Sequence, residues 1–170
     1  MVITINQGDS SSPSTHQWDF DVFLCFRGKD TRNGFTSHLY RALCDKCITT
    51  FMDNRLDKGE TISVKLVEYI KSSMILIIIF SQNFAFSPSC LDELVEILKS
   101  KQNGQLVLPV FYKVRPFELR MQKGNFEVAL AKLQNIFGHS IGKVQGWRAA
   151  LFEGAGILGW HYEDKYVSNN

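Results

Sequence analysis

The sequence predicts an α/β domain, a parallel β-sheet with helices on both faces. Three observations carry that expectation. Short apolar runs that do not alternate with polar residues, above all residues 22–26 and 74–80, have the form of strands buried on both sides. Between such runs lie segments whose apolar residues recur at helical spacing, the signature of helices with one buried stripe. The two kinds alternate along the chain, which predicts right-handed βαβ crossovers. The 170 residues suit one domain, and 45% hydrophobic with 12% aromatic content can fill a core without disulfides or metal.

Taken in order, residues 1–17 are rich in Ser, Thr, Asn and Gln, include Pro13 and show no periodicity, so they read as a disordered leader. Val22-Phe23-Leu24-Cys25-Phe26, bounded by Asp21 and Gly28, is the first strand. Phe35, Leu39, Ala42 and Leu43 mark a helix; residues 48–51 are a second short strand, followed by a polar loop over 52–61. Ser63 is a plausible N-cap for a helix that buries Leu66, Val67 and Ile70. Residues 74–80 form the most apolar strand, expected at the centre of the sheet. Leu91, Leu94, Val95 and Leu98 mark the next helix, residues 106–112 the next strand, and 126–133 a further helical stretch. The last helix spans 143–157 with Val144, Trp147, Leu151 and Ala155 on one stripe; 159–162 make a short final strand and 164–170 a tail or the start of a linker.

Charge and composition exclude several functions. With 19 Lys+Arg against 17 Asp+Glu the net charge is +2, too small for a dedicated nucleic-acid binder, whose affinity comes from clustered basic excess. The longest apolar run, residues 74–80, falls far short of the roughly 20 residues of a membrane-spanning helix. Residues 1–16 lack the basic start and long apolar stretch of a secretory signal. The expected compartment is the cytoplasm or the nucleus, with neither membrane nor nucleic acid as partner. Cys44 and Cys47 form a C-x-x-C pair, but no second pair supports zinc, and a place after a helix puts them at its C-terminus, where the dipole disfavours a thiolate. All four cysteines are expected to be buried free thiols.

Ligands of a parallel sheet bind beyond the carboxyl ends of its strands, which directs attention to residues 27–33, 52–61, 81–89 and 113–124. Gly28-Lys29 fails as a phosphate loop, because Phe23 and Asp30 occupy the positions that need Gly and Ser or Thr. Phe80-Ser81 stands where a phospho-acceptor receiver domain needs Asp, and no Gly-x-Ser-x-Gly elbow occurs. Ser87-Pro88-Ser89 leading into Cys90-Leu91-Asp92-Glu93-Leu94 reads as a helix start with two carboxylates in its first turn. Helical periodicity sets Glu93 off the Leu91/Leu94/Val95/Leu98 stripe, beside Cys90 and Ile97. Two readings of Glu93 stand on physics alone: a carboxylate placed for the helix dipole, or a functional group whose apolar neighbours raise its pKa.

Several blocks together resemble plant-type Toll/interleukin-1 receptor (TIR) domains. They are Asp21-Val22-Phe23-Leu24-Cys25-Phe26-Arg27-Gly28-Lys29-Asp30-Thr31-Arg32 with Phe35-Thr36-Ser37-His38-Leu39-Tyr40, then Thr50-Phe51-Met52-Asp53-Asn54 through Gly59-Glu60, then Cys90-Leu91-Asp92-Glu93-Leu94. Leu108-Pro109-Val110-Phe111-Tyr112, Arg120-Met121-Gln122 with Gly124, and Trp147-Arg148-Ala149-Ala150-Leu151 follow in the family's order. The resemblance covers residues 18–163 and implies a flavodoxin-like three-layer sandwich with a five-stranded parallel sheet in the order 2-1-3-4-5.

It also implies a function. Many such domains signal in plant innate immunity and cleave the bond between nicotinamide and ribose in NAD+, giving ADP-ribose or cyclic and variant forms. NAD+ is the substrate there, and neither a cofactor nor a metal is implied. The glutamate of the Cys-Leu-x-Glu-Leu motif is catalytic in the family, and its match is Glu93. Phe26, Arg27, Gly28, Ser87 and Ser89 match the nucleotide site. Arg27 is either a pyrophosphate ligand or a surface arginine paired with Asp30. Asp53, Lys58, Gly59 and Glu60 match the "BB loop", read as a gate, and Ser37 and His38 match a pair that packs against a second TIR domain. Departures are Ser89 for a usual Trp, Lys29 for an acid, Cys25 for a serine and Arg115 for an aspartate. The resemblance thus implies a self-associating NAD+ glycohydrolase, with a non-catalytic TIR adaptor or decoy as the alternative.

Overall fold

The computed structural model describes residues 18–54 and 62–163. The strands β1 (Phe20–Phe26), β2 (Thr50–Met52), β3 (Ser73–Phe80), β4 (Leu106–Tyr112) and β5 (Trp160–Tyr162) form one parallel sheet in the order β2-β1-β3-β4-β5. The helices are the single turn α1 (Gly28–Thr31), then α2 (Ser37–Asp45), α3 (Val64–Lys71), α4 (Pro88–Ser100), α5 (Pro116–Arg120), α6 (Asn125–Phe137) and α7 (Lys143–Gly156). The flavodoxin-like order is the one the resemblance implies. From β1 the chain steps outward to β2, then returns across β1 to β3, so the order reverses between β1 and β3. A crevice for a ligand opens beyond the carboxyl ends of those two strands.

The apolar runs are buried because each strand contributes to both faces. Phe23, Cys25, Leu76, Ile78, Phe80 and Phe111 face the larger core, with side chains of α3, α4, α6 and α7. The intervening Val22, Leu24, Phe26, Ile77, Ile79 and Val110 face the opposite side, against Phe35, Leu39 and Leu43. Two helix starts read from the sequence are present as hydrogen bonds. Ser63 Oγ accepts from Leu66 N at 3.2 Å, and Ser87 Oγ accepts from Cys90 N at 3.3 Å.

Four expectations need correction. The second strand lies two residues later than 48–51, at Thr50–Met52, where the ladder to Val22–Leu24 forms. Within 113–124, expected as loop, Pro116 opens the short helix α5. Helices do lie on both faces, but unequally. On the second face, among the described residues, α2 buries no side chain fully, and it leaves an apolar groove of about 670 Å³ lined by Val22, Leu39, Leu43, Ile75, Leu108 and Trp160. Lastly, only Cys25 and Cys90 are buried; Cys44 is exposed on α2, which buries no side chain fully, and Cys47 is exposed in the turn beyond it, at φ 59°. Residues 1–17 and 164–170, read as leader and tail, lie outside the described residues. Among the described residues no helix is long and apolar enough to cross a membrane.

Candidate functional site

The carboxyl edge of β1 and β3 is assembled around the start of α4. Ser87 is the N-cap and Pro88 the first helical residue, where a missing N–H is harmless and φ is already set. Asp92 and Glu93 therefore fall in the second turn, not the first as expected, and the helix dipole is a weak account of either. The two neighbours point apart. Asp92 Oδ1 accepts from Trp147 Nε1 at 2.8 Å and its Oδ2 lies 3.9 Å from Lys143 Nζ, so it ties α4 to α7. Glu93 turns to the sheet and is 7% exposed, on the same buried side as Cys90 and Ile97.

Beneath it, Cys90 Sγ donates to Phe26 O at 3.4 Å, seating the first turn of α4 on the last residue of β1. Cys25, one residue earlier on β1, is fully buried and donates its thiol hydrogen to Glu93. Burial pushes the Cys25 thiol well above its ordinary value, and the charges of Glu93 and Cys90 beside it push the same way. Cys25 is thus a neutral donor under a buried carboxylate.

Arg27 N-caps α1, and its Nη1 donates to Asp30 Oδ1 at 2.8 Å. The pairing with Asp30 is present, yet Arg27 is no surface arginine: the two side chains are 15% and 11% exposed. Asp30 Oδ2 also accepts from Ser81 Oγ at 2.6 Å and Asn83 N at 3.0 Å, and Oδ1 from Asn83 Nδ2 at 3.3 Å. Asn83 Oδ1 in turn accepts from Asn125 Nδ2 at 2.9 Å. This one carboxylate joins the turn after β1 to the loop after β3, and Asn83 carries the link on to the start of α6.

Arg27, Ser87, Ser89 and Glu93 are thereby brought to one edge. Ser87 and Ser89 hydroxyls lie 3.2 Å apart. Phe26 contributes its carbonyl here but not its ring, which lies in the core of the opposite face under the Arg32 guanidinium, 5.0 Å from the ring centre. At Gly28 an added Cβ would sit 3.0 Å from Arg32 Nε, so glycine leaves room for that arginine. Arg32 Nη1 donates to Asp53 O at 2.8 Å, linking the β1 loop to the exit of β2. Asp53 is therefore held at the site's margin through its backbone, while Lys58, Gly59 and Glu60 lie outside the described residues. Ser37 and His38 lie on α2; Ser37 Oγ donates to Arg32 O, and His38 is exposed.

Sequence reasoning missed Arg32 and Asn83 as parts of this edge and left Asp30 as a mere partner. The signal for Asp30 was its three-residue spacing from Arg27. Asn83 offers no pattern, because its partners are 42 and 53 residues away along the chain. Among the described residues no group of three or more His, Cys, Asp or Glu could hold a metal ion.

A family model described as "TIR domain" matches residues 19–170. The disease resistance protein RPV1 of Vitis rotundifolia is 45% identical over 163 residues, which is 94% of this chain and 11% of that protein. The TMV resistance protein N of Nicotiana glutinosa is 45% identical over 152 residues, 88% of this chain and 13% of that protein. The chain thus spans a small fraction of the length of these relatives. The TIR domains of the activated Roq1 resistosome superpose with a TM-score of 0.80 at 40% identity, covering 89% of this chain and 92% of that one. Motif blocks and strand order agree with these matches, and the chain belongs to the TIR domain family, among the TIR domains of plant disease-resistance proteins.

Proposed function

We propose that this TIR domain signals in plant innate immunity by self-associating and hydrolysing NAD+ to nicotinamide and ADP-ribose, or to cyclic or variant ADP-ribose. The observation that carries the reading is a buried carboxylate, Glu93, at the carboxyl edge where the strand order reverses, with Cys25 against it, Ser87 capping its helix and Arg27 at the end of β1 on the same edge. The domain acts in the cytoplasm or nucleus, where its cysteines stay as thiols.

One carboxylate suffices for this chemistry. The C–N bond to ribose breaks with its electron pair leaving on nicotinamide, which departs neutral and needs no acid, unlike the oxygen leaving group of a glycoside. Positive charge develops on the ribose, and Glu93 stabilises it from a site where water does not screen the interaction. Water then adds to the ribose carbon and loses a proton to solvent; addition of a group of the same nucleotide gives the cyclic form. Arg27 faces the pyrophosphate as a charge-assisted donor. NAD+ is the substrate, and no cofactor or metal takes part. Contact through Ser37 and His38 on α2 between copies, and with other TIR domains, holds the segment from Asp53 through Lys58, Gly59 and Glu60 open.

A second reading, a non-catalytic TIR adaptor or decoy, draws on Ser89, which offers no aromatic face for a base at the helix start. Nicotinamide release from NAD+ by concentrated protein separates the two. The catalytic reading expects release that rises more than linearly with protein concentration, is abolished by Glu93→Ala and is lowered by His38→Ala. Wild type no better than Glu93→Ala, with turnover appearing in Ser89→Trp, decides for the adaptor.

A further inference from the structure

We propose that Asp30 is a positioning residue for the nucleotide: it holds the Arg27 guanidinium against the β3–α4 connection so that Arg27 meets the pyrophosphate ready-oriented. The inference rests on the NAD+ reading of this site. An ionised carboxylate has about four acceptor positions. Asp30 fills them with four donors, namely Arg27 Nη1, Ser81 Oγ, Asn83 N and Asn83 Nδ2. A carboxylate so occupied has no capacity left for substrate, so its action runs through the groups it holds. Three of the four donors come from residues 81–83, the segment that leads into Ser87 and α4, and the fourth is Arg27. Asp30 therefore sets the distance between the anion-binding side chain and the helix that carries Glu93.

The electrostatics fit this role. An arginine alone at a partly buried edge would be held only by its long flexible stem, and ordering it on binding would weaken affinity. Asp30 fixes the guanidinium in advance with one of its five N–H groups. Arg27 Nε is itself buried and has no hydrogen-bond partner among the described residues, so the Asp30 contact at Nη1 is the guanidinium's anchor there. Asparagine in place of Asp30 has the same shape but can accept at only one oxygen, and its amide hydrogens would face donors.

The test uses the full 170-residue chain. Asp30→Asn is expected to raise the KM for NAD+ about fivefold or more with kcat within about twofold, the pattern of lost remote binding. Arg27→Ala raises KM similarly, and adding Asp30→Asn to it has no further effect, because the second residue acts through the first. The Arg27 Nε–H NMR signal, slow to exchange in wild type, exchanges rapidly in Asp30→Asn. Additive effects in the double variant, a fall in kcat at unchanged KM, a lowered KM from an unmasked arginine charge, or an unaltered Arg27 signal would each overturn the inference. If Asp30→Asn does not fold, Ser81→Ala and Asn83→Ala remove single donors from the same carboxylate and carry the same comparison. If wild type releases no nicotinamide, the catalytic reading falls, and NAD+ titration followed at the Arg27 signal decides. A shift present in wild type and absent in the Asp30 variant sustains the positioning role, and no shift overturns it.

Discussion

Trp147→Phe tests whether the two adjacent carboxylates of α4 divide their work as the geometry indicates. Trp147 is 1% exposed, and its Nε1 donates at 2.8 Å to Asp92, whose side chain is 14% exposed. Phenylalanine removes that donor from a charged acceptor, a loss of about 1.5–3 kcal/mol. Its smaller ring leaves a void beside Phe137, now edge-on at 5.5 Å, adding roughly 1 kcal/mol. Together the loss is about 2.5–4 kcal/mol, or a fall in Tm on the order of 5–15 °C for a domain of this size. Asp92→Ala should destabilise through the same bond by leaving a buried indole N–H unpaired, so the double variant loses about 1–3 kcal/mol less than the sum. Chemical denaturation of the four proteins measures this coupling. Glu93→Leu behaves oppositely: it removes a buried carboxylate and leaves stability equal or higher while abolishing nicotinamide release. Additivity of Trp147→Phe and Asp92→Ala within about 0.5 kcal/mol, or a Glu93→Leu loss as large as that of Asp92→Ala, would refute the division.

Two further outcomes follow from single environments. The Cys25 thiol titrates higher folded than unfolded, so its contribution to stability is complete below the ordinary thiol value of 9.0 and is lost as pH rises above it. Urea denaturation across that range should show stability falling with pH less steeply in Cys25→Ala than in wild type, the difference approaching about 1.4 kcal/mol per pH unit; parallel curves would contradict a buried, protonated Cys25. Two glycines of α7 should respond with opposite sign. An alanine Cβ at Gly146 meets nothing within 4 Å, and Gly146→Ala should stabilise by about 0.5–1 kcal/mol, whereas at Gly154 it would press on Phe80 Cζ at 3.0 Å and Leu94 Cδ1 at 3.4 Å and destabilise. Thermal melts check both, and an equal response would contradict the close approach of α7 to the sheet.

Much of the fold was legible because strand burial and helix caps are written in neighbouring residues. Residues 76–80 lack alternation since both sides of β3 are buried there, although Met74 at its start is exposed, and Ser63 and Ser87 cap helices whose first N–H groups lie three residues away. Glu93 was legible as a carboxylate beside Cys90 and Ile97, and the family blocks gave it a role, but the expected stripe was too narrow, since α4 buries Cys90, Glu93 and Ile97 as well. Other features had no local trace. Asp92 had no legible role until α7, 55 residues on, supplied Trp147 as its partner. The depth of burial of the cysteines was misjudged for Cys44 and Cys47, since a short strand and a helix end do not say which way a turn between them faces.

By itself, the sequence determined the alternation of buried strands and one-sided helices and the family, because periodicity and motif order are properties of the chain. Only the tertiary structure decided that Asp30 joins Arg27 to a loop more than 50 residues distant, that Cys25 lies against Glu93, and that among the described residues one face of the sheet keeps an apolar groove. Hydrogen-bond saturation and cover depend on which groups the folded chain brings within about 3 Å of one another, and residue spacing carries no record of that.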